Sequence, residues 1–237
     1  MNQPRSKAEL FGAMGLGPVW ELKNTTTTPA QAAVNQAPSL SELRQTVSVC
    51  RACSLCESRT QTVFSDGVEH APLMVVGEAP GADEDAKGLP FVGRAGALLD
   101  KMLHAVGVSR QENVYIANVL KCRPPANRNP EAAEIRQCSP YLFQQIAANQ
   151  PKILLLVGRF AIQTLLNTDK PVGELRGKLH HVTVDGFNIP AVVTYHPAYL
   201  LRKPVEKAKA WEDLLLLKTA YSGMPTGRSS PIRASTS

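Results

Sequence analysis

Short apolar runs alternate with helix-like segments through the middle of the chain. The runs are LMVVG at 73–77, VYIANV at 114–119, ILLLVG at 153–158 and AVVTY at 191–195. Each run is bounded by turn-forming residues and has no polar face, which is typical of strands buried between two layers. Helical patterns such as AGALLDKMLHAVG and VEKAKAWEDLLLLKTAY separate or follow them. This alternation predicts an α/β fold with a mostly parallel sheet.

Polar segments flank this region. Residues 24–38, NTTTTPAQAAVNQAP, contain almost no large apolar groups, so we expect a linker that cannot offset its own ordering entropy. We therefore predict an N-terminal peptide plus linker at 1–38, one folded domain at 39–221 and a disordered tail at 222–237. The peptide carries an apolar cluster, AELFGAMGLGPVW, which either packs back on the domain or docks on a protein partner.

The composition says more about the cellular compartment of the protein than about its function. A chain of 237 residues with 43% hydrophobic and 19% charged residues is ordinary for a globular protein with one good-sized core. The sequence has no apolar window of 18 residues and no recognisable signal peptide, so we expect a cytoplasmic protein without a membrane partner. A net charge of +6 is compatible with a polyanionic partner, but it is also common among proteins that have none.

Candidate chemistry gathers at the predicted carboxyl ends of the strands, where ligands bind in α/β folds. The loop GEAPGADEDAKGLPFVGRAG, at 77–96, follows the first run and contains five glycines and four carboxylates. Asn118 ends the second run, and His196 follows the fourth. Backbone freedom, negative charge, an amide and an imidazole are therefore expected at one edge of the sheet.

The five cysteines suggest a metal centre. Cys50, Cys53 and Cys56 form C-x2-C-x2-C, Cys122 follows the second predicted strand, and Cys138 lies in the next helix-like segment. A tight pair plus two distant thiols can supply four thiolates to a zinc ion or to an iron–sulfur cluster, and the spacing alone does not choose between them. For Cys138 taken alone, a buried free thiol is the alternative.

Three segments together closely resemble the motifs of the family 4 uracil-DNA glycosylases, the iron–sulfur branch of that superfamily. They are GEAPGADEDAKGLPFVGRAG, NVLKCRPPANRNP and TYHPAYLLR, and the resemblance runs from about Cys50 to about Leu217. It implies a three-layer α/β/α domain with a central, four-stranded, mostly parallel sheet. It also implies a monomer that acts on uracil-containing DNA, single- or double-stranded, in base excision repair.

The resemblance also implies a cofactor. In that family the cluster is a [4Fe–4S], and its ligands carry over onto Cys50, Cys53, Cys122 and Cys138. Cys56 is then an extra thiol, although a register in which Cys53 and Cys56 form the tight pair stays open. We expect the cluster to be structural and to rigidify a basic surface that contacts DNA.

Uracil excision requires that the nucleotide be flipped into a pocket. By resemblance, Phe91 stacks on the flipped base, Asn118 pairs with the uracil edge, and His196 donates a hydrogen bond to the charge that develops on uracil O2. The other predicted substrate-binding residues are Gly77, Glu78, Ala79 and Gly81. Their glycines let backbone amides approach the base.

The water-orienting carboxylate is less clear from the sequence. Ala79 stands where the best-known uracil glycosylases carry a water-activating Asp in GQDPY. By resemblance, Glu84 is the first candidate, Glu78 the second and Asp85 a reserve. Each of the three is also compatible with a solvated loop charge.

Contacts to DNA are expected in HPAYLLRKP. By resemblance, Leu200 wedges into the duplex and Arg202 faces phosphates, together with Lys203. Leu201 fits a core position about as well as a wedge. Near the cysteines we expect further phosphate contacts, from Arg123, Arg128 and Arg136.

Other functions remain to be weighed. A covalent-trapping relative has GEQPG and an extra basic loop, whereas this chain has GEAPG and the short CRPPANRNP, so we expect turnover. One alternative is a catalytically weak iron–sulfur module that binds DNA and recruits a repair partner. Another is an electron-transfer protein.

Overall fold

The computed structural model describes residues 38–223. The predictions for the N-terminal peptide, for most of the linker and for nearly all of the tail therefore lie outside the described residues. The first helix, α1 (Leu40–Ser48), begins with a capping box. Ser39 Oγ accepts a hydrogen bond from the Glu42 amide at 3.3 Å, and Glu42 Oε2 accepts one from the Ser39 amide at 2.8 Å.

The other helices alternate with strands, as the apolar pattern predicts. The strands are β1 (Asp66–Gly67), β2 (Leu73–Gly77), β3 (Val114–Asn118), β4 (Ile153–Val157), β5 (Leu179–Val184) and β6 (Phe187–Thr194). The helices after α1 are α2 (Leu55–Ser58), α3 (Ala82–Lys87), α4 (Arg94–Ala105), α5 (Ala132–Asn149), α6 (Arg159–Leu166), α7 (Val172–Leu175), α8 (Pro197–Arg202) and α9 (Lys207–Ser222). Short 3₁₀ turns lie at Pro125–Asn127 and Pro204–Glu206. None of the helices within residues 38–223 is long and apolar enough to cross a membrane.

The strands form one sheet in the order β1-β3-β2-β4-β6-β5. Strands β2, β3, β4 and β6 are mutually parallel, which confirms the α/β class and the four predicted strands. The sheet is larger than predicted, because β1 and β5 add antiparallel edges. Strand β1 has only two residues, and β5 buries only Val182 and Val184, so neither carries the continuous apolar run that identifies a central strand.

Alternate side chains of the central strands enter two separate cores. Met74 and Val76 of β2 pack on one face of the sheet, in the core that includes Leu142 of α5. Leu73 and Val75 pack on the opposite face, in the core that includes residues of α4 and α9. Helices therefore cover both faces of the sheet, which gives the three-layer α/β/α arrangement.

The strand register brings the functional loops to one edge. Gly77 at the end of β2 pairs with Asn118 at the end of β3, and Val157 of β4 pairs with Thr194 of β6. Because these four strands are parallel and end level, the chain leaves each of them on the same side. The segments that begin at Glu78 and at residues 119, 158 and 195 consequently emerge next to one another.

Candidate active site and cysteine cavity

The floor of the candidate site lies where β2 and β3 end. The side chain of Asn118 is 2% exposed, and within the described residues its Oδ1 has no hydrogen-bond partner. A Cβ on Gly77 would overlap Asn118 Oδ1 and would lie 2.5 Å from Cζ of Phe91. Only a residue without a side chain lets both groups pack against the main chain here. Gly77, Asn118, Phe91 and His196, which the sequence predicts to bind the base, are called the base pocket below.

Phe91 is held in an uncommon backbone conformation. Its φ is 55°, in the left-handed region that a bulky residue rarely adopts. The guanidinium of Arg110 donates hydrogen bonds to the carbonyls of Pro90 at 3.3 Å and Phe91 at 3.0 Å. Arg110 is itself paired with Asp66 at 2.6 Å and Asp100 at 2.8 Å. These contacts restrain the main chain that carries the Phe91 ring.

His196 is the N-cap of α8. Its Nδ1 accepts a hydrogen bond from the Ala198 amide at 3.1 Å, so the proton of the neutral ring lies on Nε2. Burial lowers the pKa of His196 to about 4, and the charge of Arg202 adds to this effect. The ring stacks on Phe91 with centroids 5.6 Å apart. At neutral pH the pocket therefore contains an uncharged imidazole with an N–H donor of fixed position.

Glu78 directly follows Gly77 and is partly buried. Desolvation raises the pKa of Glu78 to about 7, against the opposing influence of Arg159 at the start of α6. The carboxyl group consequently changes its charge near neutral pH. Carboxyl groups perturbed in this way are concentrated at functional sites.

Glu84 ties the two ends of the pocket loop together. Its Oε2 accepts a hydrogen bond from the Gly81 amide at 3.0 Å. Its Oε1 accepts from the amides of Val92 at 3.1 Å and Gly93 at 3.2 Å. Both carboxylate oxygens are thus engaged by backbone donors, and α3 is fastened to the residues that follow Phe91.

Two other residues of this loop support the fold around the pocket. Asp85 is 3% exposed, and its two oxygens accept hydrogen bonds from the Thr60 amide at 2.9 and 3.0 Å. It therefore anchors α3 to the segment after α2. Ala79 is partly buried against the core on the α5 face of the sheet.

The burial of Leu200 argues against its predicted role as a wedge. Leu200 is 1% exposed and belongs to the apolar core that contains residues of α4 and α9. A side chain without exposed surface cannot enter a duplex unless α8 unpacks. Leu201 is partly exposed, whereas Arg202 and Lys203 are exposed. Successive helical residues point about 100° apart, so sequence adjacency did not distinguish the two leucines.

All five cysteines border one small cavity. Cys50, Cys53 and Cys56 reach it from the segment around the start of α2, Cys122 from the segment after β3, and Cys138 from α5. None of the five forms a disulfide. Within residues 38–223, no group of three or more His, Cys, Asp or Glu side chains is arranged to hold a single metal ion. The cysteines surround a common space from three separate parts of the chain.

The sulfur atoms receive hydrogen bonds from the cavity walls. Cys122 Sγ accepts from Arg59 Nη1 at 3.0 Å, Cys138 Sγ from the Lys121 amide at 3.3 Å, and Cys50 Sγ from the Tyr141 hydroxyl at 3.5 Å. The Leu55 amide donates to Cys53. Burial raises the pKa of Cys138 to about 11 and also raises the pKa of Cys53 and Cys122. These thiols are therefore inert when protonated, whereas their donors suit thiolates that bind a metal.

Lys121 lies between the base pocket and the cysteine cavity. Its side chain is 1% exposed, and Nζ donates to the main-chain oxygen of Asn118 at 2.5 Å. Burial lowers the pKa of Lys121 to about 8, against the opposing influence of Cys138 and Cys122. Sequence reasoning missed this residue and also Arg110. A lysine in LKCRPP is indistinguishable from a surface cation, and the ion pair between Arg110 and Asp66 spans 44 residues.

The arginines near the cysteines differ in whether a carboxylate already neutralises their charge. Arg128 pairs with Glu134 at 2.6 Å and with Glu131 at 3.2 Å, so part of its charge is already neutralised. Arg136 is exposed, and Arg123 is partly exposed. Two of the three predicted phosphate contacts thus lack a carboxylate partner among the described residues.

Comparison with known proteins shows to which family the chain is similar. The family model of the uracil DNA glycosylase superfamily matches residues 64–215. The chain is 42% identical over 170 residues to the type-4 uracil-DNA glycosylase of Archaeoglobus fulgidus, covering 70% of this chain and 85% of that protein. It is 38% identical over 181 residues to the type-4 uracil-DNA glycosylase of Pyrobaculum aerophilum, covering 75% of this chain and 92% of that protein. It is 40% identical over 181 residues to the type-4 uracil-DNA glycosylase of Saccharolobus solfataricus, covering 74% of this chain and 83% of that protein.

Proposed function

The chain belongs to the uracil DNA glycosylase superfamily, and we propose that it is a monofunctional uracil-DNA glycosylase of base excision repair. It flips uracil out of DNA and hydrolyses the N-glycosidic bond, which leaves an abasic site. The observation that carries this proposal is the buried Oδ1 of Asn118, which lies beside Phe91 and has no hydrogen-bond partner among residues 38–223. A buried acceptor without a donor costs about 1–3 kcal/mol, which a ligand N–H can recover.

Uracil complements this amide. Its N3–H donates to Asn118 Oδ1, and its O4 accepts from the amide N–H₂. With the amide in this orientation, a base without an N–H at position 3 leaves Oδ1 unpaired, so the pocket discriminates through the same cost that it carries when empty. The aromatic face of Phe91 supplies stacking, and Gly77 lets the base edge approach the main chain.

His196 stabilises the leaving group. As the glycosidic bond breaks, negative charge accumulates on uracil O2, and the neutral imidazole donates from Nε2 to this oxygen. No proton has to leave or join the ring for this interaction. The capping bond between Nδ1 and Ala198 supports the assignment, because it leaves the Nε2 side of the ring available.

Glu78 is our candidate for the carboxylate that faces the sugar. In its ionised form it stabilises the positive charge of the oxocarbenium-like sugar and orients the attacking water. Glu84, the first candidate from the sequence, is assigned a positioning role, since three backbone amides occupy its oxygens. Leu201 replaces Leu200 as the proposed wedge, with Arg202 and Lys203 on the phosphates.

Cys50, Cys53, Cys122 and Cys138 fit a [4Fe–4S] cluster. The support comes from the shared cavity and from a hydrogen-bond donor to each of these four sulfurs. When bound, the cluster joins three distant segments and needs no redox step in the reaction. Five free cysteines favour a reducing compartment, so we place the protein in the cytoplasm. A monomer stays a prediction from the resemblance.

The test uses an end-labelled oligonucleotide that contains one uracil, incubated in EDTA and then cleaved with alkali. Wild type should produce a break only at uracil. Asn118→Ala should slow excision at least ~100-fold while leaving the free energy of unfolding unchanged or higher, because an unpaired buried amide is removed. Asn149→Ala is the matched control, since Asn149 is 1% exposed and hydrogen-bonded to His70 and Ala71. It should lose stability and keep its specificity for uracil.

One outcome would refute the enzymatic proposal. If wild type with an intact iron–sulfur chromophore does not break either single-stranded or duplex DNA at uracil, the enzymatic proposal fails. A weak DNA-binding module would then be the better description.

A further inference from the structure

One buried charged group has no role in the excision mechanism proposed above. Lys121 is 1% exposed, and within residues 38–223 its ammonium group forms no ion pair with a carboxylate. Burying a lysine is costly, and an apolar side chain of similar length would fill the same volume without this cost. A structural role alone therefore does not account for a lysine at this position.

The end of the side chain contacts the main chain of a base-pocket residue. Lys121 Nζ donates to the main-chain oxygen of Asn118 at 2.5 Å. The two residues between them are also fixed, since the amides of Val119 and Leu120 donate to the carbonyls of Gly77 and Glu78 at 2.9 and 3.0 Å. The main chain that carries the Asn118 amide is thus restrained from both sides.

The main chain of the same lysine is directed to the cysteine cavity. Its amide donates to Cys138 Sγ at 3.3 Å, and Cys122 is the next residue. Lys121 also lines the cavity together with the five cysteines. Four thiolates around a cluster would place negative charge beside Lys121, because Cys122 is the next residue and Cys138 Sγ accepts from the Lys121 amide.

We propose that Lys121 is a positioning residue that joins the cysteine cavity to the base pocket: its ammonium group, balanced by the cluster's thiolates, holds the Asn118 main chain so that the amide meets the uracil edge. This inference rests on the proposed function. It gives the cluster a second task besides stiffening a basic surface, because the charge of the cluster stabilises a buried cation that orients the base-reading residue.

The first test measures the cluster rather than the reaction. Lys121→Met removes the charge and keeps most of the side-chain volume. A nearby cation stabilises the more negative, reduced form of a cluster, so the reduction potential of Lys121→Met should be more negative than that of wild type. Lys178→Met, which removes an exposed lysine, is the control and should leave the potential unchanged.

The second test asks whether Lys121 acts through Asn118. In single-turnover excision of uracil, Lys121→Met should slow the reaction about 10- to 100-fold, the loss expected for a charge-assisted hydrogen bond. In the Asn118→Ala background the same change should have an effect below about twofold, because the amide that Lys121 orients is gone. A purely structural loss would slow both backgrounds equally.

The outcomes separate this inference from the proposed function. No excision by wild type would refute the function, whereas the potential is measured without substrate. Either an unchanged potential or an equal slowing in both backgrounds overturns the role of Lys121. If Lys121→Met does not retain iron, Lys121→Gln, which keeps an N–H donor but no charge, is judged by the potential in the same way. In single-turnover excision, the effect of Lys121→Gln should again disappear in the Asn118→Ala background.

Discussion

Phe91 and His196 enclose each other at the carboxyl edge of the sheet, with ring centroids 5.6 Å apart and planes inclined by 27°. The main chain of Gly158 closes another side of the imidazole, since a Cβ there would lie 3.1 Å from His196 Cδ2. This enclosure explains why burial is the largest cause of the low pKa of His196. The Phe91 ring thus helps to keep the imidazole of His196 neutral.

His196→Asn should separate the catalytic and capping roles of His196. Asparagine is a preferred N-cap, so its side-chain oxygen can accept from the Ala198 amide while the Nε2–H donor is lost. We expect single-turnover excision to fall about 10²- to 10³-fold, with a smaller loss of unfolding free energy than in His196→Ala. His196→Ala should lose a similar rate and about 1 kcal/mol of stability as well. Equal stability of the two variants in denaturant titrations would contradict the capping role.

The pH dependence of excision should report on Glu78. Its pKa is raised to about 7, so its ionised fraction increases as the pH rises through neutrality. The single-turnover rate of wild type should therefore rise with a midpoint near pH 7, whereas that of Glu78→Gln should be lower and flat in this range. A variant that retains the rise would show that another group is responsible.

Stability should depend on pH with opposite signs at two pocket residues. Between pH 4.5 and 7 folded Glu78 holds a proton that the unfolded chain has released, so its contribution to stability is lost as the pH rises. Between pH 4 and 6.5 the unfolded chain protonates His196 and the folded chain does not, so that contribution is lost as the pH falls. In thermal unfolding from pH 4 to 7, Glu78→Gln should consequently gain stability with pH more steeply than wild type.

The sequence could predict which residues of the candidate site lie at strand ends. Buried parallel strands are recognisable from continuous apolar runs, and their register brings Gly77 next to Asn118 without further information. Arg110 and Lys121 could not be found in this way, because their roles depend on contacts with the carbonyl of Phe91 and with that of Asn118. Such contacts leave no periodic signal in the sequence.

The carboxylates show a second limit of sequence reasoning. Glu78, Glu84 and Asp85 have the same chemistry and lie within eight residues of one another. They differ in their backbone hydrogen bonds. Glu84 and Asp85 accept hydrogen bonds from backbone amides, whereas burial desolvates Glu78. That difference arises from how α3 folds back on the loop, which motif position alone does not reveal.

Cysteine variants should identify the cluster ligands. Cys122→Ser and Cys50→Ser should each lose most of the bound iron and the visible absorbance, because each removes one of four thiolates. Cys56→Ser should retain both, since Cys56 lines the cavity but is outside the proposed ligand set. Iron and acid-labile sulfide are measured in protein purified without oxygen. Loss of iron from Cys56→Ser but not from Cys50→Ser would favour the register in which Cys53 and Cys56 are the tight pair.

Adjacent leucines on α8 should have opposite phenotypes. Leu200→Ala removes a side chain that is 1% exposed, and we expect it to cost about 2–5 kcal/mol of unfolding free energy in a denaturant titration. Leu201→Ala should change stability by less than about 0.5 kcal/mol. Because a wedge is needed only when a base leaves a duplex, Leu201→Ala should slow excision from double-stranded DNA more than from single-stranded DNA. An equal slowing on both substrates would mean that Leu201 contacts the flipped nucleotide itself, since only the unpairing step differs between them.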